Sequence, residues 1–128
     1  MKTVEILKDV LNKVDPNNIR DNLPSEEAEA YKLVLYFMVD PKMPNIVNFD
    51  VKLWKVNESG FEFDAQYIKS DSMTLTDDEI NELLNQDVSN EVEEMVRTYM
   101  VDKLGKVESL GTAFRASIQS GNYIFKFR

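Results

Sequence analysis

The chain has 128 residues, 43% of them hydrophobic and 30% charged, which fits one globular domain of residues 1–128 able to bury a core. It contains no Cys and no His, so disulfides, thiolate sites, histidine bases and Ser-His-Asp or Cys-His catalysis are excluded. No apolar run approaches the length of a bilayer span, and Glu5 and Asp9 interrupt the segment that a signal peptide would need, so the sequence reads as cytoplasmic with no membrane contact.

A first helix is predicted over residues 4–14, capped by Thr3, with Val4, Leu7, Val10, Leu11 and Val14 at helical spacing. The turn-rich stretch DPNNIRDNLP follows, and Ser25 is placed to cap a second helix with Glu26 and Glu27 in its first turn. Residues 33–39, LVLYFMV, taken alone fit either a buried strand or a helix. Two strands come next: Phe49, Val51 and Leu53 alternate with Asp50 and Lys52, and after NESG the set Phe61, Phe63, Ala65 and Tyr67 alternates with Glu62, Asp64 and Gln66. Thr76 to Glu79 has the form of a capping box opening a third helix, and Ser89 or Asn90 opens a fourth that stops at Gly105; one helix over 77–104 is the alternative. A hairpin closes the chain, with Phe114, Ala116 and Ile118, then QSGN, then Tyr123, Phe125 and Phe127.

The words YFMVD (36–40) and TYMVD (98–102) stand sixty-two residues apart. Sliding the chain by that distance lays Ala30, Leu33, Val34, Phe37 and Met38 on Val92, Met95, Val96, Tyr99 and Met100, five apolar pairs on one helical stripe. This suggests an internal duplication with halves 1–70 and 71–128, the rival being two amphipathic helices that converge on similar letters. On the duplication, LVLYFMV is helical and the order is ααββααββ. The expected fold is α+β, a four-stranded antiparallel sheet with helices packed on one face. Six phenylalanines, Phe49, Phe61, Phe63, Phe114, Phe125 and Phe127, are expected to point into the core.

Surfaces follow from this reading. A second stripe on the second helix, Ala28, Tyr31, Leu35 and Val39, would need cover from the first helix or from a second subunit, which makes Tyr31, Leu35 and Val39 candidates for self-association as a homodimer. Trp54 falls on the outer sheet face, where either a bulge turns it inward or an apolar patch marks a contact. Residues 70–96 hold nine acids and no Lys or Arg, so the formal charge of −8 arises wholly there. Helix starts account for part of this acidity, and the rest would steer a basic protein and repel nucleic acid.

An EF-hand from Asp71 fails because Met73, Leu75 and Thr76 fill ligand positions, and four isolated glycines build no phosphate loop. No metal site, cofactor or catalytic set is therefore assigned. In size, acidity and lack of Cys and His the chain resembles small bacterial or phage-encoded adaptor, chaperone and inhibitor proteins, in composition alone and without a shared motif. The expected function is a non-enzymatic protein-binding module that meets a basic partner through Asp77, Asp78, Glu82, Glu91 and Glu94 of the third and fourth helices. The alternatives are a carboxylate-based, Mg-dependent hydrolase or small-ligand domain, and a structural subunit of a phage or other assembly.

Overall fold

The structure is a computed structural model that describes residues 3–23, 26–85, 88–105 and 109–128, with backbone only at 109 and 110. Helix α1 (Thr3–Asn12) buries Ile6, Leu7, Val10 and Leu11 on one stripe. The short α2 (Pro16–Arg20) begins with Pro16 just inside its start and the Asp15 carboxylate accepting from the Asn17 amide. Strands β1 (Ala30–Val39), β2 (Ile46–Val56) and β3 (Glu62–Thr74) then form a meander. Helices α3 (Asp77–Asn85) and α4 (Asn90–Tyr99) follow, α4 running on as a π-helical turn over Met100–Leu104. The hairpin of β4 (Ser109–Ala116) and β5 (Ser120–Phe127) completes a five-stranded antiparallel sheet in the order β3-β2-β1-β5-β4.

The class is α+β as expected, but the sheet has five strands rather than four, and the order ααβββααββ does not match a duplicated ααββααββ. Two elements make the difference: the short α2 forms within the stretch DPNNIRDNLP, expected as a loop, and the expected second helix is replaced by a strand. Residues 30–39, expected as the second helix, form the central strand, hydrogen-bonded to β2 on one side and β5 on the other. Tyr31, Leu33, Leu35 and Phe37 face the helices and are buried, while Ala30 and Val34 are buried on the opposite side. Because Ala30, Val34, Tyr36 and Met38 on the open face are apolar too, the segment reads as a nearly unbroken apolar run that hides its two-residue period, and its β-branched and aromatic content favours the pleated state. YFMVD therefore ends in a strand whereas TYMVD lies in α4 and its continuation. The cap expected at Ser25 lies outside the described residues.

The local signals behave as their chemistry dictates. In the capping box, the Thr76 amide donates to Glu79 Oε1 at 3.0 Å and the Glu79 amide to Thr76 Oγ1 at 3.2 Å. Ser89 Oγ accepts from the Val92 amide at 3.3 Å, and this cap separates α4 from α3 rather than leaving one long helix. Gly105, at φ 66°, ends the π-helical turn in the left-handed conformation that a side chain would strain. Gly121 serves a different need, because a Cβ there would come within 3.0 Å of the Phe114 ring and 3.3 Å of Leu84.

The core lies between the helices and the inner sheet face. Phe49, Phe125 and Phe127 are buried in it, joined by Phe37; Phe63 and Phe114 are half-buried, and Phe61, expected inward, is 70% exposed just before β3 begins. Tyr123 is fully buried, and its hydroxyl donates to the Leu83 carbonyl of α3 at 2.6 Å, tying sheet to helix. Burial pushes the Tyr123 hydroxyl well above its usual range. A raised folded-state pKa keeps the neutral form favoured, so the stabilisation is complete below about pH 10 and is lost as pH climbs above it. Tyr123→Phe should cost about 1 kcal/mol at pH 8, from the lost hydrogen bond, yet flatten the fall in urea midpoint toward alkaline pH. A parallel fall in both proteins would contradict this role for Tyr123.

Candidate functional site

The described helices α1–α4 pack on one face of the sheet, which leaves two unlike surfaces. On the helical side, α1 touches both α3 and α4. Between α1 and α4 runs a groove of about 470 Å³ with Leu11, Met95 and Tyr99 as its apolar floor. Helix α4 turns Val92, Val96 and Tyr99 into the core, which leaves Met95 half-buried at the shoulder. Glu91 and Glu94, one helical turn apart, stand on the rim. The π-helical turn extends that rim by Asp102 and Lys103, and Lys8 of α1 lies across from them. A π-helical segment is an unfavourable way to continue a helix and is met most often beside functional surfaces.

The five acids singled out from the sequence divide between two helices. Glu91 and Glu94 share the groove, and no hydrogen bond or ion pair engages either carboxylate among the described residues. Asp77, Asp78 and Glu82 lie on α3, outside it. Asp77 accepts from Asn45 Nδ2 at 3.1 Å, and Glu82 accepts from the Thr3 amide at 3.4 Å, a long contact. Asp78 is exposed and unengaged. Glu93 pairs with Arg97 at 3.2 Å on α4 itself, and the capping hydrogen bond from the Thr76 amide holds the Glu79 carboxyl below its usual range. Asp87 lies outside the described residues. No group of three acids is close enough to hold a metal ion among the described residues.

The candidates for self-association separate as well. Tyr31 and Leu35 face the core: Tyr31 stacks on Phe127 at 5.6 Å between ring centres, and Leu35 is fully buried. Val39 is half-buried against the same core. Tyr31 and Leu35 are sheet interior because their segment is a strand, and Val39 lies at the end of that strand. Trp54 does lie on the outer face, opposite Lys32 of β1, with Nε1 donating to the Tyr36 hydroxyl at 3.1 Å. A bulge is present at this point, but the extra residue belongs to β3, where Asp64 adopts φ 51°, so the alternation of β2 is undisturbed and Trp54 stays outward.

The helical reading of residues 30–39 leaves out the part of the outer face that β1 supplies. In register across the strands it carries Lys32, Val34 and Tyr36 of β1, Trp54 and Lys52 of β2, Tyr67 of β3, Asn122, Ile124 and Lys126 of β5, and Arg115 of β4. Lys52 Nζ stands 4.8 Å from the centre of the Tyr36 ring and 4.4 Å from that of Tyr67, a cation held between two aromatic faces. A hydrogen bond with Tyr67 holds the Lys52 ammonium above the usual lysine range. Lys32 is neutralised by Glu62 at 2.6 Å, and Asp50 accepts from the Ser70 hydroxyl. A cleft of about 370 Å³ opens here, edged by Asn48, Asp50, Ser120 and Asn122.

No described helix is long and apolar enough to cross a membrane. Comparison with protein-family models, curated proteins and solved structures returned no match.

Proposed function

We propose that this chain is a non-enzymatic protein-binding module whose acidic helices, α4 foremost, dock a basic surface of a partner protein. The observation that carries the reading is the groove between α1 and α4, where the half-buried Met95, set against the buried Leu11, lies beneath Glu91, Glu94 and Asp102, carboxylates that make no ion pair among the described residues. Apolar floor and anionic rim together suit an amphipathic segment that seats one apolar side chain on Met95 and sets Lys or Arg against the acids. Neighbouring acids on α3, Asp77 and Asp78, add to the field that would steer such a partner into place.

A synthetic Leu/Lys amphipathic helical peptide is the probe. It should bind in a salt-sensitive way, with NMR shifts concentrated at Leu11, Glu91, Glu94 and Met95. Glu91→Lys combined with Glu94→Lys should weaken it about tenfold, since reversing two rim charges removes on the order of 1 kcal/mol or more. Binding that ignores both salt and these substitutions, or shifts confined to the sheet, would rule the reading out.

A further inference from the structure

The open sheet face and the helical face carry opposite charge. On the sheet, Lys32, Lys52, Arg115 and Lys126 outnumber Asp50 and Glu62, and no ion pair holds Lys52, Arg115 or Lys126 among the described residues. On the helices, Asp78, Glu91, Glu94 and Asp102 are likewise unengaged. Both faces also expose apolar surface, Tyr67 at 70% and Met38 at 56% on the sheet and Met95 in the groove. We infer that the sheet face is a docking surface for the acidic helices of a second copy of this chain, joined head to tail.

Size and charge set the strength. The eight-residue length of β4 and β5, taken across all five strands, gives a face of about 650 Å². That is somewhat less than the roughly 800 Å² per partner of a stable complex, so the contact is weak and populated only at high concentration. Net charge opposes it, because each copy carries −8. Screening decides the balance: at about 0.1 M salt the whole-molecule repulsion fades beyond about 10 Å, while facing charges in contact still feel one another. At about 1 M salt the screening length falls to about 3 Å and the pairs weaken too, so association peaks at intermediate salt. Because the contact joins two different faces, it does not close as a twofold dimer; copies add on as a ring or an open row. A basic partner seated on Glu91 and Glu94 would cap that row. The inference stands without such a partner, since it is tested on the chain alone.

Sedimentation of the pure protein up to about 1 mM should show a weight-average mass rising past a dimer at about 0.1 M salt and falling at about 1 M. Arg115→Glu with Lys126→Glu reverses the sheet face, and Glu91→Lys with Glu94→Lys reverses the helical face. Each double variant alone should be monomeric and, by circular dichroism, folded. Their equimolar mixture should associate again, because each then offers the charge that the other lacks. A monomer under all conditions would overturn the inference. So would a closed dimer, association that survives either reversal, or a mixture that fails to associate.

Discussion

Phe37→Ala is expected to remove about 3–5 kcal/mol of folding stability, a large share of the roughly 5–15 kcal/mol that a domain of this size commands. Phe37 is 1% exposed in the central strand, and its ring meets Phe49 at 6.3 Å and Tyr123 edge-on at 5.9 Å. Those contacts come from strands on both sides of β1, paired at Phe49 and at Gly121. Because every neighbour is held by its own backbone ladder, the space cannot collapse after truncation, and the cavity cost adds to the lost burial. Urea unfolding should show a much lower midpoint at an unchanged slope. A loss below about 1 kcal/mol would mean that the ring does not occupy the centre of the core.

Leu35→Lys is expected to abolish the fold outright. Leu35 is fully buried between Val51 of β2 and Tyr123 of β5, where no carboxylate lies in either paired position. An isolated ammonium costs several kcal/mol there, on top of the lost leucine packing, and exceeds what a marginal domain can absorb. The same change at Ile118, 96% exposed in the turn between β4 and β5, should shift stability by no more than about 0.5 kcal/mol. The pair separates two pictures of residues 30–39. On an amphipathic helix with Leu35 at a subunit interface, Leu35→Lys would yield a folded monomer; in the central strand it yields an unfolded or insoluble chain. Far-UV circular dichroism with size-exclusion chromatography distinguishes these outcomes.

Elements whose signal is local were legible in the sequence. The Thr76–Glu79 box, the Ser89 cap and the Gly105 stop depend on hydrogen bonds and dihedral angles within a single turn, so a few letters suffice to find them. The strand at residues 30–39 was not legible, because what makes it a strand is distant. Its partners are residues 47–56 and 120–127, and apolar residues on its open face as well as its core face erase the alternation that marked β2 and β5. The matching letters of YFMVD and TYMVD misled for a related reason. Tertiary context overrides the modest strand preference of Tyr and Val in TYMVD, so the likeness carries hydrophobicity without conformation.

The candidate surfaces were readable to the same depth. Glu91 and Glu94 follow from helical spacing on one element, whereas the groove they edge needs Lys8 and Leu11 from a helix some eighty residues earlier, a packing that no local pattern encodes. The alternation of β2 puts Trp54 outward, and the sequence offers a bulge there that would turn it inward. A bulge does form, but in β3, where Asp64 takes up a left-handed conformation without the glycine that usually announces one, so Trp54 stays outward.

The sheet order places β5 directly beside β1, and Leu35 meets Tyr123 there. During synthesis the ribosome releases β1 roughly ninety codons ahead of its neighbour, at about 5–20 residues per second, so for several seconds the N-terminal meander waits with a naked hydrogen-bonding margin. Closing so long a loop also slows the final zippering relative to helical proteins of equal length. The nascent polypeptide is thus most vulnerable to mispairing with its neighbours in that interval, and a holdase acting on it would find its target along the uncovered side of Leu33, Leu35 and Phe37.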